Sequence, residues 1–118
     1  MDGRIFHVQQ QIAQDLSRHW TDEEMASMAQ LSPQHIIRLF KQYIGVTPCA
    51  FVSGLRLERA RELLKSSFLQ IKQIRVEVGI GDESHFTRDF KEKFGLTPTE
   101  YRKQHWELEQ SFPPDGQE

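Results

Sequence analysis

Apolar residues return at helical spacing along most of the chain. Between 33 and 44 they fall at Ile36, Leu39, Phe40, Tyr43 and Ile44, and between 83 and 94 at Phe86, Phe90 and Phe94. Each stretch therefore predicts a helix with one buried stripe. Ser32 and Asp82 stand immediately before these stretches as N-caps, and Pro33 takes the first helical position, where a missing N–H does no harm. Gly45 and Gly95 end the helices as left-handed caps, and Thr47-Pro48 and Thr97-Pro98 open the next ones. Upstream of each lies a shorter helical segment: Asp22 to Ala29 behind Thr21 as N-cap, and Ile71 to Val78 ending at Gly79. The polar positions repeat as well. Gln34, His35, Arg38, Lys41 and Gln42 face away from the first stripe, and Ser84, His85, Thr87, Arg88 and Lys91 from the second.

The two stretches are copies of one unit fifty positions apart. His35/His85, Arg38/Arg88, Phe40/Phe90, Lys41/Lys91, Gly45/Gly95, Thr47/Thr97 and Pro48/Pro98 are identical pairs without a gap. Two copies are too few for a solenoid, which needs about three stacked repeats. A short helix, a tight turn and a second helix with an exposed polar face form a helix-turn-helix, and the chain has two. Between them, Pro48 to about Ser66 reads as one longer helix with Phe51, Val52, Leu55, Ala60, Leu63 and Leu64 apolar. At 1.5 Å per residue it is about 27 Å long. That length is compatible with two such helices entering successive major-groove turns of duplex DNA, roughly 34 Å apart. The expected fold is all-α: two helix-turn-helix subdomains, at about 20–46 and 70–96, joined by a linker helix at about 48–66. A final helix at about 98–110 completes about seven. Residues 1–5 are expected to be a disordered or extraneous N-terminus, and 111–118 a disordered tail.

At these residues the chain resembles the DNA-binding domain of the AraC/XylS family of bacterial transcription regulators. The resemblance is strongest from Gly79 to Arg102, and is supported by Leu55 to Leu64, Leu31-Ser32-Pro33 and Leu39-Phe40-Lys41. It covers roughly Phe6 to Tyr101 and rests on many spaced positions rather than one motif. It implies sequence-specific binding of double-stranded DNA. Base contacts would come from Gln34, Ile37 and Arg38 in the first helix, and from Glu83, Ser84, Thr87 and Arg88 in the second. Chemistry agrees: arginine donates bidentately to guanine, glutamine pairs with adenine, isoleucine meets a thymine methyl, and glutamate accepts from cytosine N4. Phosphates would be met by Lys41 and Lys91 and at the helix starts around Ser32 and Asp82. Each assignment has a plainer competitor. Arg38 and Arg88 could line a solvated face or form intrahelical ion pairs, and Ile37 and Glu83 could be ordinary helix residues. The resemblance further implies RNA polymerase as a second partner, and an N-terminal effector or dimerisation domain in a full-length protein.

Three positions depart from the family pattern. Arg75 stands where a small residue is usual, Gly81 replaces a polar turn residue, and Asp89 takes the place of Leu39. Asp89 is expected to pair with Lys93 one turn on, and with Glu83 and Glu92 to lower the potential of the second helix. His35 and His85 are read as turn-packing or hydrogen-bonding residues rather than metal ligands, since no HExxH or CxxC accompanies them.

Charge first argues against nucleic acid, because the net formal charge is −2. Its distribution reverses the argument. From Gln30 to His105 thirteen basic residues face eight acidic ones, a local +5, whereas two face nine outside that window. A membrane-spanning run and a signal peptide are both missing, which predicts a cytoplasmic, nucleoid-associated protein without a membrane partner. The single Cys49 cannot form an internal disulfide and reads as a small apolar helix residue. No nucleophile–base pair, phosphate loop, metal constellation or cofactor motif is visible, so an enzyme is not expected. A helical protein-interaction module would explain the acidic first helix and tail, yet gives no reason for two matched arginines on exposed faces.

Overall fold

The structure, a computed structural model, describes residues 2–111, with side chains to Glu107. Among the described residues there are seven helices and no strand: α1 Gly3–Gln14, α2 Asp22–Ala29, α3 Pro33–Tyr43, α4 Pro48–Ser66, α5 Ile71–Val78, α6 Glu83–Phe94 and α7 Pro98–Ser111. The expected all-α pair of helix-turn-helix subdomains is present, with α4 as the linker helix. Contacts divide the chain into two units, Met1–Arg56 and Leu57–Glu118, each with its own core.

The first core joins Ile5, Val8 and Ile12 of α1 to Met25, Ala26 and Ala29 of α2, Ile36, Leu39 and Phe40 of α3, and Val52 of α4. Residues 2–5 are thus ordered where disorder was expected for 1–5. Asp2 N-caps α1 by accepting from the Arg4 N–H at 2.8 Å and pairs with its guanidinium at 2.9 Å, while Ile5 is fully buried. The i, i+3, i+7 spacing of Ile5, Val8 and Ile12 gives α1 a narrow apolar seam, and burying it holds the end of the chain in place. Met1 and the expected tail from Phe112 on lie outside the described residues; Ser111 closes α7.

The second core joins Leu57, Ala60 and Leu64 of α4 to Ile74 and Val78 of α5 and Phe86 and Phe90 of α6. Phe90 meets Phe86, Phe94 and Tyr101 in tilted or edge-on pairs with centroids 4.6 to 5.9 Å apart. The Phe86, Phe90, Phe94 stripe is therefore core, as its spacing indicates. Tyr43 breaks the expected stripe of α3: it sits in the last turn and is 45% exposed.

Each unit also uses an arginine to close its own loops. Arg56 donates through Nε to the Leu16 carbonyl at 3.1 Å and through Nη2 to that of Arg18 at 2.7 Å. Arg102 donates to the carbonyls of Leu64, Leu69 and Ser67 at 3.1, 2.5 and 3.1 Å. A guanidinium has five N–H donors and serves several orphan carbonyls at once, which a lysine cannot do with the same geometry.

Candidate nucleic-acid interface

The two turns that aim α3 and α6 are built from the same hydrogen bonds. In the first unit Gln30 adopts the left-handed conformation at φ 58°, its N–H bonding to Ser27 and the next N–H, of Leu31, to the Ala26 carbonyl at 2.9 Å. In the second Gly79 does the same at φ 89°, followed by Ile80 N–H to the Arg75 carbonyl at 3.0 Å. This doubled bond pattern satisfies carbonyls left open at a helix end. It also shows where the copies part. By their caps, Gln30 matches Gly79, Leu31 matches Ile80 and Ala26 matches Arg75, so Gly81 is an added residue in the second turn. Its surroundings are open and its φ is not positive, so neither space nor backbone demands glycine there.

Arg75 neither snorkels into water nor is simply exposed. Half-buried, it folds back and donates through Nη1 to the Ile80 carbonyl at 2.9 Å, while its Nε is buried without a partner. Its counterpart Ala26 is a buried core residue.

Both α3 and α6 then start on a side-chain cap. Ser32 Oγ accepts from the His35 N–H at 3.2 Å and Asp82 Oδ1 from the His85 N–H at 2.9 Å. That bond, with the Ser84 N–H and the charge of Arg75, holds the Asp82 carboxyl below its ordinary value. Beyond the caps, Gln34, Ile37, Arg38 and Lys41 fall at i, i+3, i+4 and i+7, and Ser84, Thr87, Arg88 and Lys91 at the same spacing, which puts each quartet on one helix face. Gln34, Arg38, Lys41, Ser84, Arg88 and Lys91 are exposed, and Thr87 is half-exposed. Ile37 is partly buried against the first core, so only part of its side chain faces outward. Glu83 is exposed but sits at the first helical position, where the first copy has Pro33.

Charge pairing corrects two expectations. Asp89 accepts from its neighbour Arg88 Nε at 3.2 Å; Lys93 instead approaches Glu58 at 4.0 Å and the Phe94 ring at 5.7 Å. The local excess of basic residues is also partly spent inside the protein. Arg56, Arg75 and Arg102 serve backbone carbonyls, Arg61 pairs with Glu58 at 2.6 Å and stacks on Phe94, and Lys65 pairs with Glu62 at 3.3 Å. The clamps of Arg56 and Arg102 were invisible in the sequence, because a carbonyl partner thirty or more positions away leaves no local signal. Arg38, Lys41 and Lys91 make no ion pair among the described residues.

Cys49 is exposed rather than packed, and its thiol donates to Asp22 at 3.4 Å. Desolvation and the neighbouring carboxylates raise its pKa, which keeps it a thiol. The His35 side chain is half-buried and that of His85 exposed, and both backbone N–H groups go to the caps. Among the described residues no three His, Cys, Asp or Glu side chains gather as a metal site, and no helix is long and apolar enough to cross a membrane.

Two capped helix-turn-helix units with matched polar faces define a protein of the helix-turn-helix class. A helix-turn-helix domain family matches residues 25–104. The C-terminal domain of AraT, a response regulator from Geobacillus stearothermophilus, superposes with a TM-score of 0.82 at 30% identity, over 87% of this chain and 86% of that one. The chain belongs to this family, in its AraC type. An HTH-type transcriptional regulator of Haemophilus influenzae is 39% identical over 78% of this chain and 31% of its own length. The DNA-binding domain of AdpA, solved in complex with a target DNA, shares the fold with a TM-score of 0.83 at 20% identity over 86% of this chain and 92% of that one. The chain spans about a third of the length of the curated relatives it matches.

Proposed function

We propose that the chain binds a specific double-stranded DNA sequence as the DNA-binding part of a transcription regulator, with α3 and α6 each in a major-groove turn. The observation that carries this is the pair of matched quartets, Gln34/Ile37/Arg38/Lys41 and Ser84/Thr87/Arg88/Lys91, exposed or half-exposed on helices with equivalent caps. An interaction module has no use for that identity of register, whereas a duplex offers the same groove twice. Arg38 and Arg88 would take guanine O6 and N7, Gln34 adenine, Glu83 cytosine N4, and Ser84 and Thr87 either base edge. Lys41, Lys91 and the N–H groups beside Ser32 would hold phosphates and fix register.

The AdpA domain's fold supports this reading, being solved with DNA bound. An effector or dimerisation domain in a longer protein, contact with RNA polymerase, absence of enzymatic activity and residence at the cytoplasmic nucleoid go with the same reading.

Selection of the chain on randomised duplex DNA tests it. Two enriched boxes about one helical turn, ~34 Å, apart are expected. Arg38→Ala should then cost about 1–3 kcal/mol, roughly 5- to 150-fold in affinity, and relax one base position. Enrichment of no sequence would overturn the reading.

A further inference from the structure

The two recognition helices differ in charge far more than in shape. On α3 Arg38 and Lys41 have no acidic residue on the same helix, whereas α6 carries Glu83, Asp89 and Glu92 against Arg88, Lys91 and Lys93. The helix starts differ in the same sense. Ser32 caps α3 without charge, leaving its positive end able to attract phosphate, while the ionised Asp82 already occupies that end of α6. Two of the three cations of α6 are also drawn aside, Arg88 to Asp89 and Lys93 to Glu58, while Lys91 makes no ion pair among the described residues but shares its helix with three carboxylates. At the place of Asp89, α3 has Leu39.

We propose that α3 supplies most of the phosphate affinity and that α6 is an electrostatically damped reader, in which Asp89 competes with DNA for Arg88. The proposal rests on the DNA-binding reading above. Its physical content is an exchange. Arg88 leaves a carboxylate partner to reach a base, so a wrong base is refused at little loss, while a correct one has to outbid Asp89. Binding to non-cognate duplex then depends chiefly on the first unit, because Asp82, Glu83 and Asp89 repel a phosphate backbone that offers α6 no bidentate base in return. Asp89 thereby tunes how strongly α6 engages a duplex.

The test uses the full chain with its selected duplex and a scrambled duplex, read by fluorescence anisotropy across a salt series. Asp89→Asn keeps the size of the side chain and removes its charge. It should tighten the selected duplex about two- to five-fold, as release of one exposed ion pair allows. In that background Arg88→Ala should become more costly by the same factor. Asp82→Ser, which copies the cap of α3, should tighten the scrambled duplex as well. Lys41→Ala should lower the slope of log K against log salt by about 0.9, and Lys91→Ala by clearly less. Unchanged affinity in Asp89→Asn with an unchanged Arg88→Ala loss, or equal slope changes for the two lysines, would overturn the proposal. A chain that fails to prefer its selected duplex at all would instead remove the reading beneath it.

Discussion

The first unit has Ala26, a three-residue turn, Ser32 and Leu39 where the second has Arg75, a four-residue turn, Asp82 and Asp89. Their hydrogen-bonded caps are nonetheless the same, as are the i, i+3, i+4, i+7 faces they aim. What is held constant is the backbone that orients a helix. The side chain at the scaffold contact varies where a turn carbonyl is available to receive it: Ala26 fills the contact by packing, Arg75 by donating to Ile80. The two copies of one unit therefore keep the orienting geometry and differ in electrostatics.

The largest test of this separation is in the cores. Phe40→Ala and Phe90→Ala each remove a fully buried ring and should destabilise by about 3–5 kcal/mol in urea titrations. If each core belongs to its own unit, hydrogen exchange should show α1 to α3 losing protection in the first variant and α5 to α7 in the second. Protection lost equally throughout both variants would show one cooperative fold instead.

The turn caps come next. Gly79→Ala forces a Cβ into the left-handed region and should cost about 1–2 kcal/mol, whereas Gln30→Gly relieves the same strain and should stabilise the first unit by up to about 1 kcal/mol. Loss of stability in Gln30→Gly would mean that its side chain, not its backbone, holds that turn.

Acid should separate the caps. Asp2 is lowered to about 2 by its bonds to Arg4, and Asp82 is lowered by the His85 N–H. A depressed carboxyl stabilises above its unfolded pKa, 3.8 for aspartate, and that contribution is lost as pH falls through the folded value. As pH falls below about 4, NMR should therefore show fraying at the starts of α1 and α6. The Ser32 cap of α3 has no proton to gain and should stay. In Asp82→Ser the α6 response should vanish while that at α1 remains.

The smallest effect is expected at the scaffold contact itself. Arg75→Ala loses one bond to a carbonyl, about 0.5–1.5 kcal/mol, but also removes a buried Nε without a partner, so the net change in thermal stability should be under about 1 kcal/mol. A cost of several kcal/mol would show that Arg75 holds the longer turn in place.

Much of this was legible in the chain because it is local. The caps at Ser32, Asp82, Thr47 and Thr97, the stop at Gly95 and the phenylalanine stripe of α6 each depend on residues within about one helical turn, so their spacing alone specifies them. The duplicated face of Arg38 and Arg88 was legible for the same reason. The order at Asp2 and Ile5 was not, since it depends on burying a three-residue seam against helices twenty to thirty-five positions onward. Nor were the clamps of Arg56 and Arg102 on loop carbonyls, the turn of Arg75 back to Ile80, or the choice by Asp89 of Arg88 over Lys93. The sequence by itself determined the helices, their ends and the two matched polar faces, because helical periodicity and capping are short-range. Only the tertiary structure decided which of the many cations remain exposed and unpaired, because a guanidinium goes to whichever acceptor the folded chain brings within hydrogen-bonding distance.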